Sequence, residues 1–196
     1  MENEQLTTYN AFNQPIGKAD RSEVHKNGFW HRSVNYLVLD QKKRALIFQD
    51  SKALDQFDKD TFFIKMNGGH VQGDDMESEM ARELHEELGL EEFQASGTHF
   101  LGVYQVSFEP KEDFVNREFM YFYLVSFENA LQNVGMDDAE VKTVLEIPID
   151  DTVDLLTGGR AQIEVTATDV NSTEMNLTLT TEAFKNFTDD ALYLRL

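Results

Sequence analysis

Between residues 68 and 90 a run of glycines leads straight into a helix-periodic segment with one apolar side and one acidic side. This stretch constrains the chain more than any other. Gly68-Gly69-His70-Val71-Gln72-Gly73-Asp74 supplies three glycines, which let the backbone take positive φ and pass close to other groups. The spacing then predicts a helix over 75–88, with Gly89 as its stop. On a wheel of about 3.6 residues per turn, Met80, Ala81, Leu84 and Leu88 share the side that should pack on a sheet. Glu79, Glu83, Glu86 and Glu87 share an adjacent side. Like charges three or four residues apart each cost a bare helix a few tenths of a kcal/mol, roughly, and the helix C-terminus disfavours anions further. A solvated acidic face would tolerate this cost. The specific glycine lead-in sets this helix apart from an isolated Glu-rich one.

The totals narrow the classes around that helix. The 196 residues suit one domain with a modest appendage, and 41% hydrophobic residues are enough for a core. Asp and Glu number 36 against 17 Lys and Arg, a formal charge of −19. Such a chain repels nucleic acid polymers and anionic membranes, whereas a small anionic substrate can be held where metal ions or a local basic group screen the charge. The absence of cysteine excludes disulfides, zinc–thiolate sites, thiol nucleophiles and iron–sulfur clusters. No apolar run approaches the ~18 residues of a membrane span, and the polar start Met1-Glu2-Asn3-Glu4-Gln5 is unlike a signal peptide. The expected location is cytoplasmic.

Strands are predicted over 7–12, 33–40, 44–49, 61–66, 98–108, 118–127, 140–147 and 162–168. Residues 13–17 read as a turn, 20–30 and 50–60 as polar loops, and 109–117 as a charged hairpin loop. Short helices are expected over 150–156, ended by Gly158-Gly159, and over 181–193. Strands mixed with a few separated helices argue for one α/β or α+β domain.

The fixed positions of the central stretch are Gly68, five residues, Asp74, seven residues, then Arg82-Glu83-Leu84-x-Glu86-Glu87-x-Gly89-Leu90. This resembles the Nudix box, in which Asp74 is the one departure, since the family usually has Glu there. The resemblance implies an α/β fold, an α/β/α sandwich around a mixed β-sheet. It also implies a hydrolase that splits a phosphoanhydride bond with the help of Mg²⁺ or Mn²⁺. Glu83, Glu86 and Glu87 would bind metal, one of them able to act as general base, and Arg82 would orient Glu83. Asp74 would help fix the loop, on an arm one methylene shorter. Clustered carboxylates on a rigid helix are the hard-oxygen donors such cations take.

Outside the box, Nudix sites are commonly completed by a further carboxylate. The candidates are Glu109, Glu112, Asp113 and Glu118, of which Glu118 precedes the apolar run Phe119-Met120-Tyr121-Phe122-Tyr123 and is the assigned metal ligand. Candidate substrate contacts are Gly68, Gly69 and Arg117, with Arg32, Arg44 and Lys65 as other cations able to reach phosphate. Trp30, Phe29, Tyr104 and Phe114 could stack on a base, although aromatic residues are more often core. The segments around His25 and His31, Gly69-His70 and Arg117-Glu118 resemble loosely the metal-binding parts of isopentenyl-diphosphate isomerases, a Nudix-fold subgroup. That makes His25, His31 and His70 candidate extra metal ligands. The isomerase's Cys would fall at Gly68, and its absence argues against isomerase activity. His85 and His99 belong to no constellation.

The expected organisation is an N-terminal strand and loop over 1–30 packed on the core, a Nudix domain over 30–157, and a C-terminal strand and helix over 158–196. The last could cap the site or form a homodimer contact. The leading functional expectation is a metal-dependent hydrolase of a small anionic diphosphate, such as a nucleoside diphosphate derivative. A ligand-binding regulatory domain and an isoprenoid-diphosphate isomerase are the alternatives.

Overall fold

The computed structural model describes residues 4–40, 44–50, 67–73, 75–88, 97–127, 141–169 and 171–184. The expected strand over 61–66, the loop over 51–60, Asp74, Gly89 and the part of the last helix beyond 184 lie outside those residues.

The sequence that reads Ser-Val-Asn-Tyr-Leu-Val-Leu forms the axis of the fold, β3 (His31–Leu39). Most of this strand is buried, because both of its faces are covered. One edge pairs in parallel with β7 (Phe114–Ser126) from His31↔Glu118 to Leu39↔Ser126. The other edge is divided. Ser33–Tyr36 pair antiparallel with β5 (Asn67–His70), and Val38 and Leu39 pair with β4 (Arg44–Asp50). The mixed sheet is completed by β6 (Thr98–Lys111), β8 (Val141–Pro148), β9 (Ile163–Asp169) and β10 (Glu174–Leu179), in the order β10-β9-β8-β4-β3-β7-β6.

Each face of the sheet carries its own core. Val34, Tyr36 and Val38 pack with Val144 and with Met80 and Leu84 of α2 (Met76–Leu88). Leu145 and Ile147 pack with Leu155 of α3 (Ile149–Leu156), with Ile163, Val165 and Ala167, and with Ala183 and Phe184 of a 3₁₀ turn (Thr181–Phe184). Val144 and Leu145 are neighbours on one strand and belong to different cores, as the two-residue period of a strand requires. The class is α/β, with helices on both faces of a mixed sheet, as expected.

The departures from expectation are local. Residues 21–27, expected as loop, form α1 (Arg21–Asn27). Two turns are too few for a periodic pattern, but Gly28 at φ 63 closes the helix and its N–H reaches the Val24 carbonyl. The N-terminal region is a two-stranded antiparallel sheet, β1 (Gln5–Tyr9) with β2 (Pro15–Asp20), so the expected turn over 13–17 is shorter and the strand begins at Pro15. The charged stretch 109–117 is mostly strand, turning at Glu112 and Asp113, where Asp113 sits at φ 59. The C-terminal stretch adds β10, absent from the strands expected above although Met175, Leu177 and Leu179 alternate with polar residues along it; most of the strand is exposed. The start of the expected last helix is a 3₁₀ turn.

Candidate active site

Arg82 is the hub of the acidic side of α2. Its Nη1 donates to Glu86 at 2.7 Å, its Nη2 to Glu83 Oε1 at 2.5 Å and to Glu79 Oε2 at 3.1 Å. Nη2 also reaches the His70 carbonyl at 3.2 Å. One guanidinium therefore gathers three carboxylates and a strand carbonyl, using its fixed fork of donors. Burial would lower the Arg82 pKa, but Glu83, Glu86 and Glu79 more than offset it and hold the group firmly protonated. Glu83 is 8% exposed, and this burial raises its pKa despite Arg82. Glu87 is held separately: the buried Tyr36 hydroxyl donates to its Oε2, and the Gly68 N–H reaches the same oxygen at 3.2 Å.

The glycines of β5 explain themselves here. Gly68 adopts φ 125 and lies against the Val34 carbonyl, so a side chain would be strained and would collide with backbone. A Cβ on Gly69 would lie 2.6 Å from Glu83 Oε2. Both positions are tied to the carboxylates. Three carboxylates around one cation leave uncompensated negative charge at close quarters, which suits a divalent cation with hard-oxygen preference.

A second cluster lies on the opposite face of β5. Gly69 and His70 are consecutive, so their side-chain directions oppose, and Gly69 faces Glu83. The His70 ring meets those of His25 from α1 and His31 from β3, with centroids 5.0 to 5.3 Å apart. One nitrogen from each imidazole lies within 4.8 Å of the others. Glu118 joins them, its Oε1 3.5 Å from His31 Nε2 and 3.9 Å from His70 Nε2. Around Glu118, Asn116 donates to Oε1 at 2.8 Å and Ser33 to Oε2 at 3.0 Å, while Asn35 donates to the Ser33 hydroxyl.

Electrostatically, burial disfavours charge on the His25 and His70 rings, while Glu118 beside them is held as an anion. Burial, with His31 and Arg21 nearby, lowers the His25 pKa to about 4. Burial likewise lowers that of His70 to about 3, against the pull of Glu118. For Glu118 burial would raise the pKa, but His31, His70 and Asn116 bring it down to about 2. Both His25 nitrogens and His31 Nε2 are buried without a hydrogen-bond partner. Buried polar atoms are normally satisfied, so lone pairs left in this state fit a metal ion.

The family model for the NUDIX domain matches residues 29–168, well over half of the chain. The chain belongs to the Nudix family. A Nudix hydrolase of Clostridium acetobutylicum, described as uncharacterized, is 30% identical over 156 residues, which are 77% of this chain and 73% of that protein. The crystal structure of DR0079 from Deinococcus radiodurans superposes with a TM-score of 0.50 at 18% identity, covering 81% of this chain and 91% of that one. The MutT protein of Methanosarcina mazei Go1 gives 0.46 at 19% identity, over 63% of this chain and 80% of that one. The protein is thus a Nudix-type pyrophosphohydrolase, a hydrolase acting on acid anhydrides in phosphorus-containing compounds.

Within the Nudix frame, the expected site residues separate into groups. Gly68, Gly69, Arg82, Glu83, Glu86 and Glu87 converge on one face, and His25, His31, His70 and Glu118 on the other. Glu118 lies within β7 rather than at its start, because that strand begins at Phe114. Glu109, Glu112 and Asp113 are exposed toward the tip of the β6–β7 hairpin. Arg117, next to Glu118, points to the opposite side of its strand, and its Nη1 reaches the Gly28 carbonyl at 3.3 Å. Arg32, expected as a cation able to reach phosphate, is used structurally. It lies over the Tyr9 ring and is hydrogen-bonded to Asn13, which ties the N-terminal hairpin down.

Ser33, Asn35, Asn116 and Tyr36 were not singled out in the sequence. Ser33 and Asn35 do leave a trace: they are polar at alternate positions of an otherwise apolar strand, in phase with His31. Asn116 and Glu118 repeat the pattern on β7. Tyr36 leaves none, since a tyrosine in a buried strand reads as core.

Proposed function

We propose that this Nudix enzyme is a divalent-metal-dependent hydrolase that cleaves the phosphoanhydride bond of a small anionic organic diphosphate, nucleoside diphosphate derivatives included. The observation that carries this reading is the convergence of Glu79, Glu83 and Glu86 on Arg82 with Glu87 anchored beside them. Glu83, Glu86 and Glu87 would hold Mg²⁺ or Mn²⁺. When bound, such a cation polarises the phosphoanhydride and lowers the pKa of a water molecule. Arg82 keeps the Glu83 carboxylate oriented, Tyr36 and Gly68 do the same for Glu87, and one of the glutamates accepts the proton of the attacking water. Gly68 and Gly69 let the substrate approach the backbone, and Arg117 is its proposed cationic contact. Asp74, outside the described residues, is assigned to the loop.

His25, His31 and His70 with Glu118 form a second metal site in this reading. Three imidazoles and a carboxylate suit a first-row transition ion better than Mg²⁺. Isomerase activity is disfavoured, since Gly68 stands where the thiol is needed. The acidic, cysteine-free composition accords with a cytoplasmic enzyme without affinity for nucleic acid polymers. Among the described residues no helix is long and apolar enough to cross a membrane.

The test is a phosphate- and pyrophosphate-release screen over nucleotide and isoprenoid diphosphates with Mg²⁺ and Mn²⁺, beside Glu83→Gln and Glu87→Gln. The expected result is metal-dependent release that both substitutions abolish. Turnover surviving both would overturn the assignment. Ligand binding with no turnover on any substrate would point to a regulatory domain. Conversion of an isoprenoid diphosphate without phosphate release would revive the isomerase.

A further inference from the structure

Glu79 is not among the fixed positions of the Nudix box, yet its carboxylate bridges two parts of the site. Its Oε1 accepts from the Gly73 N–H at 2.8 Å. Its Oε2 accepts from Arg82 Nε at 3.3 Å and Nη2 at 3.1 Å. The side chain is 11% exposed, so the carboxylate has been taken largely out of water and placed one helical turn from the like-charged Glu83. Burial of a charge beside a like charge is costly unless the group is specifically paired. Here both oxygens are paired, one to the glycine loop and one to the guanidinium. The loop is shaped to the contact, because a Cβ on Gly73 would come within 3.0 Å of Oε1.

We propose that Glu79 is a positioning residue for hydrolysis: it braces the loop at Gly73 against Arg82 and thereby fixes the guanidinium that orients Glu83. The proposal rests on the phosphoanhydride-hydrolase reading above. It also gives a physical sense to the one departure from the motif. Position 74 carries Asp where the motif usually has the longer Glu, and a Glu stands five positions later, at 79. The brace acts through Arg82. Nη2 is shared among Glu79, Glu83 and the His70 carbonyl, while Nη1 holds Glu86, whose side chain is 52% exposed. Without Glu79 the Nε–H loses its acceptor, and the guanidinium can swing outward toward Glu86, taking the Glu83 contact with it.

The experiment compares wild type with Glu79→Ala, the isosteric Glu79→Gln, and the double variant Asp74→Glu/Glu79→Ala. It measures kcat and KM on the best substrate of the screen, Mn²⁺ binding by calorimetry without substrate, and Tm. Glu79→Ala should lower kcat and Mn²⁺ affinity by about 10–100-fold, as losing a partner behind a metal ligand does, with KM little changed. Glu79→Gln keeps the Gly73 acceptor and should fall in between. Asp74→Glu, which returns the residue usual at that motif position, should restore part of the loss. Wild-type kcat and Mn²⁺ affinity in Glu79→Ala would overturn the proposal. So would a loss in both single variants that Asp74→Glu leaves untouched and that parallels the fall in Tm, since a purely structural role predicts that. If wild type turns over no diphosphate, the functional reading fails, and the Mn²⁺ titration still decides the brace.

Discussion

At the scale of single residues, the site depends on groups that are buried and held by one or two named partners. Tyr36 is the simplest case, because Tyr36→Phe removes only the hydroxyl that donates to Glu87. The expected cost is roughly 1.5–3 kcal/mol of stability, the scale for a hydrogen bond to a charged group, measured by urea unfolding. The Mg²⁺ concentration for half-maximal turnover should rise, because Glu87 loses the hydroxyl that helps orient its Oε2. An unchanged Mg²⁺ dependence would show that the hydroxyl serves packing alone. His25 makes the converse case. Its two unpartnered nitrogens are a burden without a ligand. His25→Leu should therefore unfold in chelator no earlier than wild type. It should also lose the rise in Tm that a transition ion gives wild type, a gain of about 2.7 kcal/mol at a hundred times Kd. A full metal response in the variant would remove His25 from the ligand set. Glu83 and His70 carried signals a reader of sequence could use, a motif position and a polar residue beside glycine. Tyr36 carried none, because what distinguishes it is the direction of one hydroxyl.

At the scale of elements, β5 and the β9–β10 hairpin invite opposite expectations. In β5 the limiting factor is space. Gly69→Ala drives a methyl group into the Glu83 carboxylate, and a displacement of about 1 Å at a reacting centre can cost a hundredfold in rate. A Gly69→Ala enzyme with wild-type kcat would mean that Glu83 is free to move aside. In the hairpin the limiting factor is a charge. The Asp169 carboxylate accepts from the Asn171 and Thr173 N–H groups, and these bonds, Thr173 first, lower its pKa. A pKa depressed on folding contributes stability above the unfolded value, and that contribution is lost as pH falls through the folded one. Asp169→Asn should therefore melt lower than wild type near neutral pH, and the difference should close in acid. A difference that persists in acid would assign the effect to something other than the charge. These two elements also mark what was legible. Residues 68–70 open the motif, although four residues are short for β5 to be read as a strand. β10 does carry the two-residue alternation, with Met175, Leu177 and Leu179 apolar between polar neighbours, whereas α1 is too short to show a helical period.

At the scale of the whole molecule, the excess of acidic groups should make stability respond to cations. Mg²⁺ should raise Tm more than an equal ionic strength of Na⁺, and Glu83→Gln should reduce that difference. Equal responses to the two salts would indicate general screening only. A mixed strand-and-helix domain could be foreseen from the pattern of elements, and its layered α/β/α arrangement from the resemblance to the Nudix box. The carboxylate side of the site could be foreseen because its members fall within 23 residues of sequence. The imidazole side draws on positions 25, 31, 70 and 118, and it exists only because β3 runs parallel to β7 with His31 opposite Glu118. That pairing is a property of topology, which spacing along the chain does not encode, and the four residues come together in the sequence reading only through the loose resemblance to the isomerases. The four residues of β5 give the two sides a common phase. With Gly69 turned one way and His70 the other, adding or deleting a single residue within that strand would exchange their directions. An imidazole would then face the helix carboxylates, and a hydrogen atom would stand where the third imidazole belongs. The strand thus works like a reading frame, in which a shift by one rewrites both centres at once while every residue type is kept.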